Sequence, residues 1–204
     1  MKRRTLDIIF ATGGMIAAVL VLVLGMVLQN QANFAKSYVH DQLSQQKITF
    51  TPVNFLKANE KAPCLVANAS KPMTTGKQAE CYANHYIAVH LSEVNGGKTY
   101  SQTSNDFRNL TPAQQSSPTG QALSAKVDTL FRGETLRGLL LTSYGFSIFG
   151  ERAQTAAYVC FLLAGVLFLA AIAGYVHAAT KKADHVIGEQ TYVTVGHDKD
   201  LASV

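Results

Sequence analysis

Cys64, Cys81, His85 and His90 are the residues whose types and spacing could do chemistry in this chain. A cysteine pair about 17 residues apart can close a disulfide in an oxidising compartment, which would stabilise a small domain by about 3 kcal/mol by restricting the unfolded chain. The histidines that follow Cys81 raise the alternative of a metal site. Cys81 and His85 are four apart and could share a helix face, but His85 and His90 are five apart, roughly 140° round a helix. No second nearby cysteine completes a zinc spacing. A Cys64–Cys81 disulfide is therefore the expected state, with two free thiols and a metal site as the alternatives. Cys160 has apolar neighbours and reads as a packing residue.

The elements around these residues include two uncharged apolar runs, Ile8 to Leu28 and Ala153 to Val176, each long enough to cross a hydrocarbon core of about 30 Å at 1.5 Å per residue. Leu, Ile, Val and Phe side chains fill twelve positions of the first run and favour insertion by roughly 4 kcal/mol. The run is longer than a signal-peptide core and lacks an A-x-A cleavage pattern, so a retained anchor is expected. Neither run carries an Asp, Glu, Lys, Arg or His in its centre, the usual ligands for a haem, a proton relay or an ion path. Small residues four apart, Gly14 and Ala18 in one run and Ala170 and Gly174 in the other, could let helices approach closely.

Lys2, Arg3 and Arg4 precede the first run, and Lys181 and Lys182 follow the second. The positive-inside rule then predicts a multi-pass cell-membrane protein with both termini cytoplasmic. Its segments are a cytoplasmic N-terminus at 1–7, spans at 8–28 and 153–176, an extracytoplasmic domain at 29–152, and a polar cytoplasmic tail at 177–204 without periodicity. That tail is expected to be disordered, with His177 an interfacial residue at its start.

The net charge of +5 does not point to nucleic acid, because twelve of the eighteen basic residues lie in 29–152 dispersed among eight acidic ones, without a basic run. Within that segment the apolar stripe Ala32, Ala35, Val39 and Leu43 extends the first helix. Lys47–Thr51 alternates before Pro52 and reads as a short strand, and Lys98–Ser101 as an extended partner for it. Thr75 with Gln78 makes a capping box for a helix whose face carries Ala79, Tyr82, Ala83, Tyr86, Ile87 and His90 until Asn95-Gly96-Gly97 ends it. Thr111-Pro112 and Ser117-Pro118 each start a further helix. The expected fold is thus a mainly α integral membrane protein, with two transmembrane helices and a small α+β extracytoplasmic domain between them.

The stretch Leu136 to Phe149 is apolar, carries glycines and aromatics, and precedes the second run. It suits a membrane-interface segment or a partner-binding surface, with Leu139, Leu140, Tyr144, Phe146 and Phe149 as candidates; core of the external domain is the competing reading. No nucleophile elbow, P-loop, zincin or dinucleotide motif is present, so no catalytic, cofactor or metal residue is assigned and no enzyme is expected.

The layout resembles a group of two-span actinobacterial membrane proteins. The resemblance rests on Gln42–Phe50, Gly76–Ala79 with Tyr82–His90, Gly97–Ser101 and Leu136–Leu141, and covers residues 6 to 177. Members are often labelled aromatic ring-opening dioxygenases, a label that requires His and carboxylate metal ligands of which this chain offers no convincing set. The group also looks like the source of an accessory factor of the cytochrome bc and cytochrome aa3 oxidase supercomplex. The resemblance implies a structural subunit that partners the lipid bilayer and membrane subunits of that complex. The alternative is an independent envelope protein whose external domain binds a ligand or an envelope component.

Overall fold

A computed structural model describes residues 3–180. Seven α-helices follow in chain order: α1 (Arg3–Gln45), α2 (Pro63–Asn68), α3 (Gly76–Tyr82), α4 (Ala88–Val94), α5 (Tyr100–Arg108), α6 (Pro112–Gln115) and α7 (Pro118–Thr180). A π-helical turn, Ala83–Ile87, joins α3 to α4, and 3-10 turns occupy Val53–Phe55 and Ala58–Glu60. The chain divides into two compact units, Met1–Leu24 with Val159–Val204, and Gly25–Tyr158.

In the first unit two antiparallel helical segments pack through small residues. A Cβ on Gly14 would stand 3.7 Å from the Ala171 Cβ, and one on Gly174 only 3.1 Å from that of Ala11. Thr12 and Tyr175 share a hydrogen bond between their hydroxyls at 2.9 Å. At the end of the pair His177 Nε2 lies 3.9 Å from an Asp7 carboxylate oxygen. The buried positions recur every seventh residue: Ala11 and Ala18 on α1, Ala164, Ala171 and Ala178 on α7. A strict seven-residue repeat keeps one narrow seam of a helix facing its partner. Because alanine and glycine fill that seam, the backbones come close and the large side chains point away; Leu20, Leu162 and Leu169 are about two-thirds exposed, at 66%, 68% and 67%.

Both long helices are long and apolar enough to cross a membrane, and only 17% and 11% of their most apolar stretches are buried. A soluble protein buries such a stretch in its core. Here the apolar surface is on the outside. Lys2, Lys181 and Lys182, on which the orientation partly rests, lie outside the described residues, as does the tail from residue 181 onward; Ala178–Thr180 belong to α7.

The second unit is helical where an α+β domain was expected, and that expectation is corrected. Among the described residues there is no strand, only an isolated antiparallel bridge between Thr49 and Pro72. Phe50 N donates to Lys71 O (3.0 Å), Ser70 N to Phe50 O (3.1 Å) and Met73 N to Ile48 O (2.9 Å), so the alternating segment does pair, but with 70–73. Pro52 and Pro72 have no N–H with which to extend the ladder. Lys98–Ser101 is not extended either. Thr99 caps α5, its backbone N–H donating to Gln102 Oε1 (2.9 Å) while its hydroxyl accepts from Gln102 N (3.3 Å). The same T-x-x-Q arrangement caps α3 through Thr75 and Gln78 and α6 through Thr111 and Gln114.

Ser117 accepts from Gly120 N (3.2 Å) at the start of α7, which then runs unbroken to Thr180. Val39 and Leu43 of α1 and Leu130 and Leu140 of α7 enclose a core with Phe50, Leu65, Met73, Ala79, Ala83 and Leu91. Cys64 and Cys81 are bonded across it (S–S 2.01 Å, Cα–Cα 6.1 Å), tying α2 to α3. Gly76 allows α3 to start against α7, since a Cβ there would overlap Ser147 and stand 3.1 Å from the Tyr144 Cα.

Candidate functional site: an apolar aromatic face

In the Gly25–Tyr158 unit, one side of α1 and α7 leaves large apolar side chains uncovered. Phe34 and Tyr38, one turn apart on α1, stack with ring centroids 5.8 Å apart. Phe146 of α7 meets both edge-on, at 6.4 Å from Phe34 and 5.6 Å from Tyr38. Offset and edge-to-face aromatic pairs add about 0.5–1.5 kcal/mol each beyond area burial, so the three rings hold one another in place while remaining open to the outside. Phe34 is 57% exposed, Tyr38 49% and Leu139 62%. Together with Leu43 and Ile48 they line a groove of about 710 Å³.

The residues proposed from the sequence separate onto two faces of α7. Leu139 and Phe146, seven apart, line the groove. Phe149 is 72% exposed outside the groove lining. Leu140 lines the groove as well but is buried in the core, and Tyr144 is half-buried beside Gly76 and the disulfide. Of the small residues, Gly14 and Ala18 lie in the seam and Gly174 meets Ala11, whereas Ala170 is exposed and its neighbour Ala171 occupies the seam. Phe34 and Tyr38 are absent from the sequence-based set. Their signal was an i, i+4 aromatic pair lying off the Ala32, Ala35, Val39, Leu43 stripe.

His90 and nearby acids form a polar cluster in the same unit, while His85 is exposed and outside it. Glu60 is buried; its Oε2 accepts from Lys57 N (3.0 Å) and its Oε1 lies 3.4 Å from His90 Nε2, while His90 Nδ1 lies 2.9 Å from the Tyr86 carbonyl. Lys57 Nζ donates to Glu93 Oε2 at 2.7 Å. That hydrogen bond raises the Lys57 ammonium above its ordinary value and, with the Asn59 amide, lowers the Glu93 carboxyl. Tyr82, stacked on Tyr86 with centroids 4.7 Å apart, has its hydroxyl pushed up to about 12, by burial first and by the Tyr86 phenol second. Cys81 is consumed by the disulfide, and among the described residues no group of three or more His, Cys, Asp or Glu side chains is placed to hold a metal ion.

These features define a class: a disulfide-bonded helical domain carried between two helices of membrane-crossing length and composition, with an open aromatic face. No family model, curated protein or solved structure is significantly similar to the chain.

Proposed function

We propose that this protein is a non-catalytic, two-span membrane protein that serves as an accessory subunit of an actinobacterial respiratory supercomplex of cytochrome bc and cytochrome aa3 oxidase, aiding its assembly or stability. Both termini are cytoplasmic and residues 29–152 extracytoplasmic in this reading. The observation that carries it is the outward-facing apolar surface: large side chains uncovered along both spans, and the Phe34, Tyr38, Leu139, Phe146 face beyond them. Exposed apolar patches of this kind mark surfaces for lipid or another protein. Spans without a central Asp, Glu, Lys, Arg or His suit a subunit that carries neither electrons nor protons. The particular partner rests on the resemblance of the Tyr82–His90 and Leu136–Leu141 stretches to the two-span group.

The test is co-purification of the tagged chain after gentle solubilisation, alongside a deletion strain. Cytochrome bc and oxidase subunits should accompany the wild type, and Leu139→Asp with Phe146→Asp should release them. Deletion should leave the haem spectrum of isolated oxidase unchanged while reducing assembled supercomplex. If the chain migrates alone on a mild-detergent gel, the partner is wrong and the independent envelope protein is the better reading.

A further inference from the structure

Around Glu60 the polar cluster is incomplete by one hydrogen bond. The Glu60 side chain is only 3% exposed, at the end of the 3-10 turn Ala58–Glu60. One carboxylate oxygen, Oε2, accepts from the Lys57 backbone N–H at 3.0 Å. The other, Oε1, has no hydrogen-bond partner among the described residues. It faces the Lys57 ammonium at 3.8 Å, beyond hydrogen-bond reach, and His90 Nε2 at 3.4 Å. A buried carboxylate oxygen in this position is costly unless a positive charge or a proton stands beside it.

His90 supplies that proton in only one of its states. Its other ring nitrogen, Nδ1, lies 2.9 Å from the Tyr86 carbonyl, which can only accept, so the single hydrogen of a neutral imidazole sits on Nδ1. Nε2 is then a bare lone pair pointed at the lone pairs of Glu60 Oε1. Packing on the Tyr86 ring, with centroids 4.4 Å apart, restrains the imidazole in that orientation. One more proton between Nε2 and Oε1 turns the repulsion into a charge-assisted attraction.

The other charged groups around the pair hold their charge over the same range. Lys57 Nζ donates to Glu93 Oε2 at 2.7 Å and Asn59 Nδ2 to Glu93 Oε1 at 3.0 Å. The Lys57–Glu93 hydrogen bond raises the ammonium and lowers the carboxyl from their ordinary values, so both stay charged through neutrality. Of the residue types assembled here, only histidine ordinarily changes charge between about pH 5 and 8. The turn is thus tied to α4 twice, by a permanent bridge to Glu93 and by a contact that depends on a proton.

We propose that the Glu60–His90 contact is a proton-operated latch: one proton held between Oε1 and Nε2 closes the 3-10 turn onto α4, and its loss frees the turn and lets Glu60 reach water while the Lys57–Glu93 bridge keeps the segment tethered. The closed latch holds one proton more than the open one, so acid favours closure and rising pH favours opening. Downstream, the Cys64–Cys81 disulfide pins α2 and confines the release to the residues before it. The unit thereby responds to the pH of its own compartment, whichever partner it serves.

The experiment is hydrogen–deuterium exchange of the full chain in detergent micelles at about pH 5.5 and about pH 8, on either side of the middle of the histidine range, corrected for the intrinsic pH dependence of exchange. Amides of residues 57–60 should lose about tenfold in protection between the two, the scale of one hydrogen bond to a charged group, while α7 keeps its protection. His90→Gln, whose amide can donate to Oε1 at either pH, and Glu60→Gln, which removes the carboxylate, should each abolish the difference. His85→Gln, at the exposed histidine outside the cluster, should retain it. Nitrogen-15 spectra of histidine-labelled wild type need no variant: at the higher pH His90 should be the Nδ1–H tautomer, the reverse of what free histidine prefers. If either variant fails to fold by far-UV circular dichroism, the wild-type exchange and spectra decide alone. An Nε2–H tautomer, wild-type protection that does not change with pH, or a pH response that survives His90→Gln overturns the proposal. A loss of protection shared equally by α7 also overturns it, because it marks a change in overall stability and no local latch.

Discussion

At the scale of the residue, Tyr82 offers the sharpest handle on the Gly25–Tyr158 unit. Its phenol is protonated up to about 12 in the folded protein, against about 10 in an unfolded chain. A group with a raised folded value contributes stability that is fully present below its unfolded value and is lost as pH climbs through the folded one. The protein should therefore lose stability between about pH 10 and pH 12, and Tyr82→Phe should flatten that part of the curve; an identical alkaline slope in the variant would count against the buried phenol. The Lys57–Glu93 pair acts at both ends of the scale. The lowered Glu93 carboxyl contributes above the ordinary glutamate value and fades on acidification, and the raised Lys57 ammonium contributes below the ordinary lysine value and fades in alkali. Cys64 and Cys81 were legible as a bonded pair because their spacing and the missing zinc pattern left little else. His90 falls in α4, on the helical run that the capping box at Thr75 starts, but its approach to Glu60 is invisible in the sequence, because the 3-10 turn bearing Glu60 has no periodic signal.

At the scale of the element, capping chemistry was the readable part and strand pairing the misleading one. Thr75 and Gln78 read as a capping box, yet the same four-residue pattern at Thr99 to Gln102 lies in a stretch whose Lys98–Ser101 residues also suit an extended segment. Two of the side chain–backbone contacts in that box fix the first turn of α5. Thr99→Ala should accordingly cost about 1 kcal/mol in chemical denaturation, and a change within a few tenths of a kcal/mol would mean the cap is not felt. The α1 stripe Ala32, Ala35, Val39, Leu43 was legible because it obeys helical spacing and stays buried. The seven-residue repeat of small residues is harder to see, since pairs four apart point to Ala170 where the seam holds Ala171. That repeat makes a prediction. Gly174→Leu should force the paired segments apart at Ala11, where even a Cβ fits at only 3.1 Å, whereas Ala170→Leu should be tolerated. Cross-linking yield between cysteines placed at Thr12 and Tyr175 measures both variants, and equal yields would remove the seam as the organising contact.

At the scale of the whole molecule, orientation is the property on which the functional reading turns. Single-cysteine variants at Ser104 and Ser203, in a Cys160→Ser background, should divide in intact cells, with a membrane-impermeant reagent marking Ser104 and sparing Ser203. Labelling of Ser203 from outside reverses the arrangement. The antiparallel pairing of the first unit sharpens what such an experiment can find. Asp7 and His177 meet at one end of the pair, so the chain enters and leaves this bundle through a shared doorway. In the two-span reading proposed above, ends on opposite sides of a bilayer are incompatible with that meeting, which leaves two orientations, one the mirror of the other. On that reading a single reporter fused at either terminus answers for both, and a flexible bridge between them should permit the chain to be reopened at Gly96-Gly97, so that the new free ends face the compartment opposite to the old ones.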